Sequence, residues 1–404
     1  MGTRVGTDDA LAINGGAPVR EYYLIFGSPR VSDAEVDDVV ATLRSGWIGT
    51  GPRVAAFEAM ARDYLGCDHA RALSSCTAGL HLSLIVAGVG PGDEVITTPM
   101  TFAASANAIL HVGATPVFAD CDRTTMNIDP GEVERRVTDR TKAILPVHMA
   151  GRPCDMDAIG AIARDNGLVV IEDAAHAFGA ELHGRRIGTI SDFTVFSFSA
   201  TKNLTTGEGG MVTTADARAA ELIGMYSQHG MSSDAWARYS GEGDRHYLVE
   251  VPGYKYNMMD LQAAMAIPQL RAFDAMQARR AELWRFYDQE LRDLPLDVPA
   301  PPAPGTVHAR HLYTVQLDID RLTIDRDAVK AALHRENVGT GIHFVAVHLH
   351  PHYARTFGHA RGSYPNAEAI SDRTLSLPLS AKVTDGDAED VVTALRKVLT
   401  FYCR

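Results

Sequence analysis

Between about residue 70 and residue 215, short apolar runs rich in Val, Ile and Phe alternate with segments of helical periodicity. No other feature of the chain narrows the choice of fold so far. The runs that read as strands are Glu94–Thr98, Thr115–Ala119, Ala143–Val147, Val169–Glu172, Phe193–Phe198 and Gly210–Thr214. Between them, Thr77–Ala87, Phe102–Val112, Met156–Asn166 and Ala215–Ser227 read as helices. Such alternation predicts an α/β chain with a mostly parallel sheet sandwiched by helices. Ligands of such sheets gather at the carboxyl ends of strands, so the polar residues that follow each apolar run are the candidates for chemistry.

After Tyr256 the pattern changes. Leu261, Ala264, Met265, Leu270, Phe273 and Met276 recur near helical spacing within Met259–Leu294, which reads as one connecting helix. The run Val298–Pro304 holds four prolines and cannot continue a helix, so it marks a linker. Beyond it His311–Asp318 reads as a strand, with helices over Asp325–Asn337 and Asp385–Leu399. The expected division is an N-terminal segment (1–30), a large α/β domain (31–258), and a connecting helix with a smaller α+β domain (259–404).

At 404 residues and 46% hydrophobic composition, the chain can bury a large core. No run of eighteen apolar residues appears, and the first twenty residues carry Asp8 and Asp9, so neither a signal peptide nor a membrane span is expected. Cys67, Cys76, Cys121, Cys154 and Cys403 form no C-x-x-C pair, a pattern that fits reduced thiols in a cytoplasmic protein. A formal charge of −12 argues against nucleic acid as a partner, because a phosphate-backbone binder needs a cationic face. An anionic small molecule stays open, since it answers to local amides, helix ends and a few cations.

The apolar run 193–198 passes through Ser-Ala-Thr-Lys-Asn-Leu-Thr-Thr to Gly-Glu-Gly-Gly, which sets Lys202 near a strand end. Ser197 lies just upstream, and Gly207, Gly209 and Gly210 allow close backbone approach. An amine placed there suits a lysine that carries pyridoxal phosphate as a Schiff base, although a solvated loop lysine has the same local signature. Upstream, Val-Val-Ile-Glu-Asp-Ala-Ala-His (169–176) is an apolar strand that ends in an acidic pair. Asp173 could keep the pyridine nitrogen of such a cofactor protonated, or it could cap the next helix. His176 could meet the phenolic oxygen or pack inside. The stretch Leu-Ser-Ser-Cys-Thr-Ala-Gly-Leu (73–80) places free amides at a helix start, where Cys76, Thr77 and Ala78 could hold a phosphate; read otherwise, Ser75 or Thr77 is an N-cap. Phe102 could stack on the pyridine ring or belong to the core.

Taken in order, Ser-Cys-Thr-Ala-Gly, Glu-Asp-Ala-Ala-His, Phe-Ser-Phe-Ser-Ala-Thr-Lys-Asn-Leu-Thr-Thr-Gly-Glu-Gly-Gly and Gly-Tyr-Lys-Tyr-Asn-Met (253–258) resemble the DegT/DnrJ/EryC1/StrS family of sugar aminotransferases over nearly the whole chain. The resemblance implies the pyridoxal-phosphate-dependent transferase fold of type I. It implies that Lys202 is the tether, that Asp173 pairs with the pyridinium, that Ser197 and the amides of Thr77 and Ala78 hold the phosphate, and that Phe102 stacks on the ring. Asn257 would reach a phosphate bound by a neighbouring subunit, which implies a homodimer with sites at the interface. Ser199-Ala200 departs from the His-Pro or His-Ala of many relatives. A subset of the family carries histidine in place of the lysine and dehydrates its substrate; Lys202 argues against that chemistry here.

The second half, with Asn-Val-Gly-Thr-Gly-Ile-His-Phe (337–344) and Leu-Ser-Leu-Pro-Leu (375–379), most resembles enzymes that aminate a UDP-linked 4-ketopentose. The implied substrates are L-glutamate and the C4 ketone of a UDP- or TDP-linked keto sugar, with ping-pong kinetics and His343 near the sugar. A 3-keto sugar or cyclitol ketone is the alternative substrate, and a non-catalytic pyridoxal-phosphate-binding regulator the alternative class. His343, His348, His350 and His352 invite a metal reading, but no cysteine or carboxylate completes a ligand set at typical spacing, so no metal is expected.

Overall fold

The computed structural model describes residues 10–231 and 248–404; the acidic start of the chain, Asp8 and Asp9, lies outside them. Its first strands are β1 (His69–Leu73), β2 (Glu94–Thr97), β3 (Thr115–Phe118), β4 (Thr141–Leu145) and β5 (Val169–Asp173). After two short strands, β6 (Glu181–Leu182) and β7 (Arg185–Arg186), come β8 (Phe193–Ser197) and β9 (Gly210–Thr214). Seven of these form one sheet in the order β1-β9-β8-β5-β4-β2-β3. Neighbours run parallel except at β9, which is antiparallel to both β1 and β8. The order reverses at β2, which has β3 on one side and β4, β5, β8 and β9 in turn on the other, and ligands of such sheets sit outside the carboxyl ends of the strands.

The helices of this part are α1 (Asp33–Ser45), α2 (Pro52–Leu65), α3 (Cys76–Val86), α4 (Ala103–His111), α5 (Pro130–Arg136), α6 (Met156–Asn166) and α7 (Ala217–Ser227). They enclose the sheet in two apolar layers. On one side Leu80, Leu82 and Leu84 of α3 pack with Val195, Val212 and Ile223. On another, Ile96, Ile144 and Val170 meet Met156 and Ile159 of α6. Burial of such side chains contributes about 1.5–3 kcal/mol each. The strand β1 was not apparent in the sequence. Its His-Ala-Arg-Ala-Leu has weak strand propensity, and five residue pairs with β9 hold it in place.

The stretch expected to be one connecting helix is two, α8 (Asp260–Arg271) and α9 (Phe273–Glu290). The chain leaves helical geometry at Ala272 (φ −94°, ψ 2°), one turn beyond Pro268, which supplies no N–H inside α8. Then follow β10 (Leu296–Asp297), β11 (Thr306–Val307), β12 (Tyr313–Leu317), α10 (Arg326–Arg335), α11 (Pro351–Phe357), α12 (Pro365–Arg373), β13 (Thr374–Leu377) and α13 (Asp385–Phe401). A three-stranded sheet β10-β12-β13 packs its Tyr313, Val315 and Leu375 against Trp284, Tyr287, Val391 and Leu395. The N-terminal segment joins this second core. Leu11 is fully buried in it, Leu24 bridges to Val338, and Arg20 pairs with Asp387 at 2.8 Å. The proline-rich connection is fastened at both ends: Arg152 donates to the Ala300 and Pro301 carbonyls, and β11 pairs with β6.

No helix among the described residues is long and apolar enough to cross a membrane.

Candidate active site

Register across the large sheet brings the candidate residues together. Leu73 of β1, Gly210 of β9 and Ser197 of β8 lie side by side, and Asp173 of β5 pairs with Val195 one strand over. The turn before α3, the ends of β5 and β8 and the turn carrying Lys202 therefore share one edge of the sheet. Gly210 is required there. A Cβ at that position would lie 2.4 Å from the Ser75 carbonyl carbon and 2.5 Å from the Cys76 nitrogen, closer than any side chain tolerates.

At the start of α3 both readings of the sequence meet. Ser75 is the N-cap and accepts the Ala78 N–H at 3.1 Å, so the Ala78 amide is already engaged. The amides of Cys76 and Thr77, in the first turn, have no intrahelical acceptor and lie beside the dipole's positive end. Ser197 closes the same corner from the end of β8; its hydroxyl accepts the Ser199 N–H at 3.4 Å.

Lys202 sits in the turn between β8 and β9, its backbone N–H donating to the Ser199 carbonyl at 3.0 Å. Thr206 and Gly209 tie the turn back to Phe198, and Gln269 of α8 accepts from Thr205 at 2.9 Å. Burial holds the Lys202 amine below its ordinary pKa, against the opposing pull of Cys76, Asp173 and Glu208.

Asp173 is buried and its two oxygens are separately held. Oδ2 accepts the Ser105 hydroxyl at 2.7 Å; Oδ1 accepts the Ala175 N–H at 3.1 Å, with the Cys76 thiol 4.0 Å away. Burial raises its pKa above the usual carboxylate value, while Ser105, the Ala175 amide, Lys202 and His148 draw it down. The Asp173 carboxylate is thus held by one donor from the local backbone and one from α4.

The histidines form the opposite wall. His176 is buried with Nδ1 unpartnered, its ring 4.5 Å from His311 and stacked on Phe344 at 6.0 Å. His311 Nδ1 lies 3.0 Å from Asn203 Oδ1. The Asn203 amide nitrogen donates to the Ala309 carbonyl at 2.7 Å, which makes Oδ1 the acceptor and His311 Nδ1 the donor. Burial, reinforced by Lys202, holds His176 and His311 well below the ordinary imidazole value. His343 is brought to the same wall: Nδ1 is 2.9 Å from the Ser376 hydroxyl, and burial with the nearby Lys202 charge pushes it down to about 4.

Phe102 stands at the N-terminus of α4 with 63% of its surface exposed and its ring 6.0 Å from Phe344, so it is not a core residue. Asn257 borders the same edge of the sheet, in an antiparallel bridge with Leu73 just before the turn that opens α3. Its amide donates to Thr50 at 2.5 Å, and it lines a cavity of about 220 Å³ with Thr50, Arg71 and Gln228. Ser105, Thr101, His311 and Asn203 escaped the sequence reading. Ser105 lies three residues beyond Phe102, but nothing local distinguishes its hydroxyl from any other on a helix.

A buried amine, a buried carboxylate, an anion-receptive helix start and an exposed aromatic ring suit a phosphorylated, ring-bearing carbonyl cofactor. Comparison with known proteins agrees. The family model for the DegT/DnrJ/EryC1/StrS aminotransferase family matches residues 29–396. The spore coat polysaccharide biosynthesis protein SpsC of Bacillus subtilis is 49% identical over 382 residues, covering 94% of this chain and 98% of that protein. The putative sugar aminotransferase Spr1654 from Streptococcus pneumoniae, in its PLP-form, superposes with a TM-score of 0.87 at 31% identity, over 94% of this chain and 99% of that one. DesI, solved in the presence of its TDP-sugar product, gives 0.86 at 34% identity, over 98% and 97%. The chain belongs to the DegT/DnrJ/EryC1/StrS aminotransferase family and is a pyridoxal-phosphate-dependent sugar aminotransferase.

Proposed function

We propose that this enzyme moves an amino group from L-glutamate to the C4 ketone of a nucleotide-linked keto sugar, with Lys202 as tether and proton carrier. The observation that carries the reading is the joint placement of Lys202 and Asp173 at the carboxyl ends of neighbouring strands, with burial holding the lysine amine down. The surrounding residues fit pyridoxal phosphate. The buried Asp173 carboxylate has hydrogen-bond donors but, among the described residues, no cation hydrogen-bonded to it, which suits a protonated ring nitrogen. The exposed Phe102 ring offers a stacking face, the unpartnered His176 Nδ1 offers an unused polar atom, and Gly210 makes room for the Ser75–Cys76 turn whose free amides suit an anion.

When bound, the cofactor supplies the carbonyl that takes up the amino group and a ring that accepts electron density from the breaking bond. Lys202 Nζ holds it and, once released, takes the proton from the donor's α-carbon and returns it on the sugar side. A lysine with a lowered pKa is competent for this because more of it is unprotonated near neutrality. Asp173 holds the ring nitrogen's proton. Ser197 with the Cys76 and Thr77 amides holds the phosphate, and Ala78 supports that turn through Ser75. Phe102 orients the ring and excludes water from one face.

Asn257 would complete the phosphate site of a second subunit, because its side chain bonds Thr50 and lines a surface hollow with Arg71 and Gln228. The enzyme is accordingly a homodimer in this reading, and its five free cysteines suit the cytoplasm. DesI's TDP-sugar product and SpsC's part in polysaccharide biosynthesis support a nucleotide sugar as acceptor. His343, neutral near pH 7, can accept a hydrogen bond from a sugar hydroxyl or share one with Ser376. The test is incubation of purified protein, pyridoxal phosphate and L-glutamate with UDP- and TDP-linked 4-keto sugars, with product followed by mass. Amination of one of them is expected; amination of none, or only of a 3-keto sugar or cyclitol ketone, overturns the assignment.

A further inference from the structure

Asp173 is held by a hydroxyl relay that starts two elements away. The Ser105 hydroxyl, on α4, is fully buried and lies 2.7 Å from Asp173 Oδ2 and 3.4 Å from the Phe102 carbonyl. One proton cannot serve both acceptors well. The shorter contact to a carboxylate is the stronger, so Ser105 donates to Asp173. The Thr101 hydroxyl, also buried, is 2.8 Å from Ser105 Oγ. With the Ser105 proton spent on Asp173, Thr101 must be the donor to Ser105. The two hydroxyls therefore point in line, Thr101 to Ser105 to Asp173, each polarising the next.

We propose that Ser105, oriented by Thr101, is the positioning residue that keeps Asp173 ionised and aimed at the cofactor's ring nitrogen. The proposal rests on the assignment of Asp173 to that nitrogen. Three features favour it. The other carboxylate oxygen is held by the Ala175 N–H, so the two donors come from different elements and leave one orientation of the carboxyl group. The charged groups facing Asp173 from its neighbours are Lys202, from the turn after β8, and His148, from the end of β4, while Cys76 on α3 is an uncharged thiol. Neither cation makes a hydrogen bond to either oxygen among the described contacts, which leaves hydroxyl and amide donors to offset burial. Finally, Ser105 lies one turn along α4 from Phe102, so the segment that presents the stacking ring also aims the acid.

The removal of the Ser105 hydroxyl leaves Asp173 Oδ2 buried with one donor fewer, and protonation of the carboxyl becomes easier. A protonated Asp173 no longer holds the ring nitrogen's proton. The measurement is the nitrogen-15 chemical shift of ring-labelled pyridoxal phosphate bound to the protein, followed against pH, alongside the cofactor dissociation constant. In Ser105→Ala the ring nitrogen is expected to lose its proton about one pH unit lower than in the wild type, with cofactor binding weakened roughly tenfold. Ser105→Thr should restore both, and Thr101→Val, which leaves Ser105 in place, should shift the titration in the same direction by less. Asp173→Asn, measured in parallel, should abolish ring-nitrogen protonation near neutrality. If Asp173→Asn does so while the Ser105→Ala and Thr101→Val titrations match the wild type, the relay is refuted and the Asp173 assignment stands. If Asp173→Asn titrates like the wild type, the assignment itself fails and the relay with it. A Ser105→Ala shift that Ser105→Thr does not reverse assigns the effect to packing and also overturns the proposal.

Discussion

The two walls of the crevice are built on opposite electrostatic plans. Around Asp173, the described hydrogen bonds engage both carboxylate oxygens with donors from its own backbone and from α4. Around His176, three imidazoles are held neutral by burial, and one nitrogen is left without a partner. A satisfied charged group is rigid and has one task, because moving it would strand a buried carboxylate. Neutral imidazoles can donate or accept, so the histidine wall can meet more than one ligand. Such a division suits a site that keeps one ring fixed while an amino acid and a sugar take turns opposite it.

The comparison breaks most completely at the residue between the walls. Lys202→Ala should lower turnover by about 10³-fold or more, since general acid–base catalysis alone contributes about 10²–10⁴. It should also abolish the visible absorbance of the covalently held cofactor; persistence of that band would refute the tether. Gly210→Ala tests the floor on which both walls stand. Its Cβ meets backbone at 2.4 Å, and overpacking of this kind costs about 1–3 kcal/mol, so a lowered unfolding midpoint and at least about tenfold weaker cofactor binding are expected.

The histidine wall is sharpened by pH. His343 has a folded-state value of about 4 against an ordinary 6.5. Below about pH 6.5 the unfolded chain takes up a proton that the folded chain refuses until about pH 4, so stability is full above that window and falls as pH drops through it. His343→Gln should reduce the slope of unfolding free energy there by about 1.4 kcal/mol per pH unit, read from denaturant midpoints at several pH values. An unchanged slope would mean that His343 is not held neutral. The smallest effect is expected at Phe102, where loss of stacking worth about 0.5–1.5 kcal/mol should weaken cofactor retention by roughly 2- to 13-fold in Phe102→Ala, with protein stability nearly unaltered because the ring is exposed.

Much of the large sheet was legible. Gly210–Thr214 and Met156–Asn166 match the expected elements end for end, and five other strands differ only in a residue or two at their ends. Apolar runs and helical spacing are local properties, and chemistry at strand ends follows from the architecture they imply. What escaped depended on partners distant in sequence. β1 is a strand because β9 lies beside it. Phe102 looked as fit for a core as for a ligand, and only its exposure separates the two. The proline run reads as a linker, but its hydrogen bonds were not legible, because they come from Arg152, 148 and 149 residues upstream.

By itself the sequence determined the central alternation of strands and helices from β2 to β9, the lysine and aspartate that follow from it, and the family to which such motifs belong, because periodicity and motif order are written within short windows. Only the tertiary structure decided which hydroxyl holds Asp173, which amide orients His311, and that the N-terminal segment belongs to the second core. Ser105 and Asp173 are 68 residues apart, and Asn203 and His311 108 apart. Those pairs exist because the sheet order and the packing of α4 and β12 bring them to one crevice, and no local pattern carries that information.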